Sequence, residues 1–300
     1  MLMRSPGINP LAFCLGLLAA CSPLFAEEPE TESTLRYKMS WSSTSVTQIG
    51  AIAGKSQSDT VIVFTRRTRG HEVSIGMEDM QVRSVANGQV TFACRVNRSG
   101  YYLPTIDGSL QKVPDDQLGP VDKTLVSDGF GKPFLYLKLD ESGKEVSRSV
   151  AQNTAAKIFH ESGMDTNCTF FHAPYDPNAK TWKNPISYRL PGGGRADGEF
   201  TLSIQAPSGA QSVTLNTSGQ LKAPELNIGD PHVLGKNYLF EGQGQQTYDL
   251  KRKVWVGGSI KGPVSFEAYK DGVLEFTSKG TLEFKLELLE TDPDPARSEK

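Results

Sequence analysis

The densest group of side chains able to hold a metal or move a proton is His160, Glu161, Asp165, Cys168 and His172. Zinc accepts imidazole, carboxylate and thiolate ligands in tetrahedral sets. No pair in this group has a recognised ligand spacing, and alternation in NCTFF sets Cys168 beside Phe170 on a core-facing side. His160, near the end of a helical pattern, suits the negative end of a helix dipole. His160 and His172 stay as the metal candidates, and no cofactor is expected.

Two glycine-rich stretches resemble catalytic or phosphate-holding loops. PGGGRADG, residues 191–198, nearly spells a dinucleotide fingerprint with Gly192, Gly194 and Gly198. A phosphate cradle must open a helix, whose free N–H groups hold the anion. Here EFTLSI follows, and it alternates as a strand. The glycines therefore read as a hairpin corner, with Pro191 ending the strand before it. GGSIKG, 257–262, is the nearest approach to a serine nucleophile elbow. It lacks the G-x-S-x-G spacing and leads into a strand, not a helix. Adjacent acids occur at Asp115-Asp116 and Asp140-Glu141, but nothing in the sequence sets two carboxylates across a cleft, as glycoside hydrolysis requires. Trp41, Trp182, Trp255, Tyr101 and Tyr102 are the aromatics available to stack on a sugar; their ordinary use is packing. No catalytic residue is assigned, and the chain reads as other than an enzyme.

The compartment is more legible. Arg4 is the only charged residue among the first 26, and the apolar run LAFCLGLLAA, 11–20, is shorter than the roughly 20 residues that span a bilayer. A basic start, a short apolar stretch and small residues make a secretory leader. Two ends fit it: Leu18-Ala19-Ala20-Cys21 as a lipoprotein box lipidated at Cys21 (leader 1–20), or cleavage after Ala26 (leader 1–26). The whole sequence carries 32 Lys+Arg against 34 Asp+Glu, net −2, and losing Arg4 makes it −3. Lys251-Arg252-Lys253 is the densest basic run, so no nucleic-acid partner is expected. No other segment is long and apolar enough to cross a membrane. Cys94 and Cys168 remain in a compartment that permits disulfides; a bridge between them and two separate buried thiols both fit.

The elements that must position all this show period two. LEFKLEL, 282–288, puts Leu282, Phe284, Leu286 and Leu288 on one side and Glu283, Lys285 and Glu287 on the other. FTLSI, 200–204, and FLYLKL, 134–139, alternate in the same way. TVIVFT, 60–65, suits burial on both faces, and QVTFACRV, 89–96, aligns Val90, Phe92, Cys94 and Val96 inward. Turns are expected at Asn87-Gly88, Asp140–Gly143, Ser218-Gly219 and Asp271-Gly272. One short helix is predicted over 149–163, closed by Gly163.

The fold class is mainly β, with antiparallel sheets in a curved half-barrel or sandwich and one short helix near the middle. The organisation reads as an acidic spacer 27–33, a first β half 34–172, a linker or long loop 173–185, a second β half 186–290 and a disordered tail 291–300. The halves are faintly alike: LRYKM, 35–39, echoes ISYRL, 186–190. Two related halves and one long curved sheet both fit.

With its leader, acidic spacer, opening Leu35-Arg36-Tyr37-Lys38 strand and Phe171, Pro174 and Trp182 before the second β half, the chain resembles a class of exported, β-rich envelope proteins of planctomycete-type bacteria. More remotely, its hairpins are similar to those of periplasmic lipoprotein carriers, which fold a curved sheet around an apolar cavity. The resemblance implies an exported protein, periplasmic, secreted or lipid-anchored, with a lipid or an envelope protein as partner. The function expected is a non-catalytic binding or structural module; the competing expectation is a carbohydrate-active hydrolase or sugar-binding protein.

Overall fold

The computed structural model describes residues 32–190, 194–205, 211–227 and 232–289. The leader, Cys21, most of the acidic spacer, Pro191, Gly192 and the tail 291–300 lie outside the described residues.

The protein is mainly antiparallel β. Its strands are β1 (Glu32–Ile49), β2 (Ile52–Arg69), β3 (Glu72–Ala86), β4 (Gln89–Asn97), β5 (Gly100–Pro104), β6 (Leu110–Lys112), β7 (Pro133–Leu139), β8 (Glu145–Val150), β9 (Thr181–Arg189), β10 (Arg195–Ile204), β11 (Ser212–Asn227), β12 (Val233–Asp249), β13 (Val254–Lys270) and β14 (Val273–Leu289). They form one curved, unclosed sheet in the order β6-β5-β4-β3-β2-β1-β14-β13-β12-β11-β10-β9. β7 leaves this path to pair with β3 and β8. Strands β1–β8 thus lie on one side of the sheet and β9–β14 on the other. The two meet at the β1–β14 seam, where Tyr37 faces Leu288 and Trp41 faces Phe284.

Alternation explains the seam. Leu35, Tyr37 and Met39 are buried on the concave face with Phe284 and Leu286. Between them, Lys38 and Glu287 point outward and pair at 3.7 Å. In TVIVFT the inner Thr60, Ile62 and Phe64 are buried, while Val61 and Val63 on the outer face are half-buried.

Three expected turns close hairpins. Asn87 (φ 50°) and Gly88 (φ 83°) join β3 to β4, and Asp271 (φ 49°) and Gly272 (φ 83°) join β13 to β14. Both central residues have positive φ, the signature of a type I′ turn. Asp140–Gly143 joins β7 to β8. Ser218-Gly219 is different: it makes no turn but lies inside β11. Gly219 stands opposite Gly242, and Gly198, Gly262 and Gly280 continue this line on neighbouring strands. A Cβ on Gly219 would meet Phe200 Cα at 2.6 Å; one on Gly280 would meet Ser45 Cα at 2.8 Å. The row is a crease, where the sheet bends so tightly that adjacent backbones leave no room for a side chain. Gly262→Ala is therefore expected to lower stability by roughly 1–3 kcal/mol through overpacking. Gly54→Ala, whose Cβ meets nothing closer than 3.9 Å, should be neutral or slightly stabilising, and urea titration of both variants checks the pair.

The predicted helix is shorter than expected and has company. Its first residues belong to β8, and the helix proper is α2 (Thr154–Glu161). Asn153 caps it, accepting a hydrogen bond from the Ala156 amide at 2.7 Å. Gly163, at φ 81°, turns the chain directly into α3 (Met164–Thr169). Earlier, α1 (Pro120–Thr124) runs into a π-helical turn, Leu125–Gly129. The expected linker 173–185 is only partly a loop, because β9 starts at Thr181.

These helices and the segment 170–175 fill one half of the concave face. Phe170 stacks on Phe284 at 4.7 Å and meets the edges of Phe200 and Tyr188. Phe159 contacts Phe130 and Phe134. Trp255 Nε1 donates to the Ala173 carbonyl at 2.9 Å. The filled half lies toward the Arg69–Glu72 and Asp249–Val254 turns, here the lower end. The half toward the Ile49–Ile52 and Asp271-Gly272 turns, the upper end, extends beyond the helices.

Candidate functional site on the concave face

The chemical group singled out in the sequence separates into two environments. His160 Nδ1 lies 3.0 Å from Asp165 Oδ2, and Arg148 approaches the same carboxylate at 3.6 Å. His172 is half-buried against the core, its ring edge-on to Tyr37 at 5.4 Å. No cluster of three His, Cys, Asp or Glu suited to a metal occurs among the described residues. Cys168 is buried beneath Asp165, and burial together with that nearby carboxylate pushes its thiol up. A thiol so placed has no access to its nucleophilic thiolate form.

Cys94, on β4, and Cys168, on α3, are both buried and both free. Cys94 lies beside the Tyr101 hydroxyl, and burial raises its pKa as well. In the folded protein both thiols should react with an aromatic disulfide reagent only as fast as the chain opens. Prompt labelling without denaturant would contradict the packing described here.

Other sequence candidates have structural work. The Asp140 carboxylate accepts from the Ser142 and Lys144 amides and so shapes its hairpin. The Ser142 hydroxyl, which also donates to it at 2.6 Å, and then the Lys144 amide hold it below the usual carboxylate range. Gly257, Gly258, Ser259 and Gly262 are all interior to β13. Leu190 N donates to Gly194 O at 2.7 Å, closing the β9–β10 hairpin at the glycine-rich corner. Of the four residues aligned in QVTFACRV, only Cys94 and Val96 are buried. Val90 and Phe92 remain 51% and 46% exposed, because the register slips between Ser84 and Val85 and the helices do not reach this end.

Two parts of the concave face keep side chains half-exposed. At the upper end, Trp41 (β1), Leu282 and Phe276 (β14) and Val264 and Phe266 (β13) share the inner side with the buried Phe284 and Ile260. Phe266 and Phe276 contact each other at 6.0 Å. Ser43 faces Leu282, and Ser45 hydrogen-bonds Ser56 at 2.7 Å beside them. The result is an apolar trough with a hydroxyl flank. At the lower end an aromatic chain runs from Trp182 through Tyr175, Tyr248 and Trp255 to Tyr37. Tyr37 donates to the Trp255 carbonyl at 3.1 Å, and burial pushes its pKa up to about 12. The trough was hidden in the sequence because alternation gives the side of each residue and not what covers it.

No known protein family matches the chain, and no curated protein matches it. Solved structures resemble it remotely. Lipovitellin, in a structure described by its lipid–protein interactions, aligns with a TM-score of 0.46 and 9% identity over 89% of this chain and 26% of that one. The chain thus spans about a quarter of the lipovitellin chain. OccK5 (OpdH) of Pseudomonas aeruginosa aligns with a TM-score of 0.26 and 7% identity, over 86% of this chain and 99% of that one. The β domain of the Bordetella autotransporter BrkA gives 0.22 and 8%, over 84% and 98%. Likenesses at this level carry no argument about function. Among the described residues, no helix is long and apolar enough to cross a membrane.

Proposed function

We propose that the protein is an exported, non-catalytic binding module of the cell envelope that holds an apolar chain in the upper trough of its concave face. One observation carries this reading: Trp41, Leu282, Val264, Phe266 and Phe276 continue the core's inner face past the end of the helices and stay half-exposed. Covering such side chains with an apolar ligand returns about 25 cal/mol for each Å² removed from water. The core of the lower half is filled by the buried Phe159, Phe170 and Phe171. The secretory leader expected from the first 26 residues supports the same reading.

Native mass spectrometry of the purified protein tests it. The expected result is a co-purifying lipid, with Trp41 fluorescence quenched by a bromine-labelled acyl chain. Leu282→Glu, which puts a carboxylate in the trough, should abolish both signals. A protein that carries no lipid and whose Trp41 is indifferent to brominated chains would overturn the proposal and favour a scaffold.

A further inference from the structure

The lower mouth of the concave face holds a charge that nothing in the fold answers. Arg66, on β2, follows Ile62 and Phe64 onto the inner face and enters the aromatic surroundings of Tyr37, Tyr248 and His172. Its Nε is buried with no hydrogen-bond partner, and no carboxylate pairs with it among the described residues. Arg252, exposed on the β12–β13 turn, adds its positive charge to that of Arg66 in the field acting on the Tyr37 phenol. The acid of that turn, Asp249, is engaged by the Lys251 and Arg252 amides. His172 adds buried ring nitrogens whose one polar contact is a weak one with the Cys168 backbone, and Trp182 adds a buried, unpartnered Nε1.

Buried polar groups are almost always satisfied, and buried charges are almost always paired. The mouth is open on one side, since Arg66, Tyr175, Tyr248 and Trp182 are only half-buried. The stacked pair Tyr175–Tyr248, at 4.6 Å, with Trp255 edge-on at 5.1 Å, forms its apolar wall.

We infer that this mouth binds an anionic amphiphile. Its carboxylate or phosphate lies on the Arg66 guanidinium with Arg252 alongside, and its apolar part lies against Tyr175 and Tyr248. The site is at the opposite end of the face from the upper trough and does not depend on it.

Calorimetric titration of the folded chain with dodecyl phosphate, oleate and inorganic phosphate tests the inference, with tryptophan fluorescence as a second readout. Dodecyl phosphate or oleate should bind, and more weakly as salt rises. Arg66→Met should weaken binding about tenfold or more, the scale of a charged hydrogen bond. Arg252→Gln, on an exposed turn and so safe for folding, should weaken it about threefold. The arginine variants are made in the Leu282→Glu chain, where the trough takes no acyl chain, and the Arg66-dependent binding should persist there, which separates this site from the trough. The inference is overturned if neither amphiphile binds or if both arginine variants bind as well as the parent chain. Inorganic phosphate binding as tightly as dodecyl phosphate would also overturn it, in favour of a free-anion site.

Discussion

Phe284→Ala should lower the unfolding free energy by about 3–5 kcal/mol, the range for deleting a fully buried aromatic ring. Phe284 is 1% exposed and joins the helices to the sheet. Its ring stacks on Phe170 at 4.7 Å and meets Tyr188 and Phe240 at 5.8 Å. Its backbone lies on the β1–β14 seam opposite Trp41. The cavity left behind is lined by rings held from three directions, so little collapse can fill it. A domain has about 5–15 kcal/mol in hand, so the loss will be read directly as a lower urea midpoint at unchanged slope. Phe276→Ala, on the same strand but half-exposed, should cost under about 1 kcal/mol. Equal losses at the two positions would mean that the upper trough is as closed as the core.

Acid should destabilise the protein through His172 before its carboxylates titrate. Burial first, and then the Arg66 charge, hold the His172 pKa well below the usual range, outweighing a weak favourable contact with the Cys168 backbone. The sign follows from linkage: the unfolded chain takes up a proton near pH 6.5 and the folded chain does not. The neutral ring's contribution is fully present above that pH and is lost as pH falls below it, at about 1.4 kcal/mol per unit. Stability should therefore fall between pH 7 and pH 5. His172→Phe keeps a ring against Tyr37 and removes the titration, so its stability should stay flat over that interval. Identical acid limbs in the two proteins would move the effect to other groups.

The period-two pattern made much of the architecture readable, because a strand with one wet face must alternate. LEFKLEL lies as expected, with Phe284 and Leu286 buried and Lys285 and Glu287 exposed. Asn87-Gly88 and Asp271-Gly272 announced hairpins because few other pairs tolerate two consecutive positive φ values. Gly219 misled for the opposite reason: glycine serves tight bends within a strand as well as turns between strands, and only the neighbouring backbones distinguish the two. The candidate sites were less readable. Arg66 sits in TVIVFTRR as an ordinary edge-of-strand arginine, and His172 in FFHAPY as an ordinary loop residue. Their meeting depends on how the segment after α3 lies across β1 and β2, which no local pattern encodes. The same holds for the seam, since nothing in β1 names β14 as its partner.

That seam governs how the molecule comes together. Its two central strands are the first and the last of the described strands, so zipping outward from either end leaves a raw margin in the middle. Such non-local pairing is slow to form. Until it forms, β1 and β14 each expose a long row of unpaired amides and carbonyls, open to the same strand of another copy. Assembly in dilute solution should therefore yield monomers, whereas crowding during refolding should favour exchanged dimers that repeat the β1–β14 register between two chains.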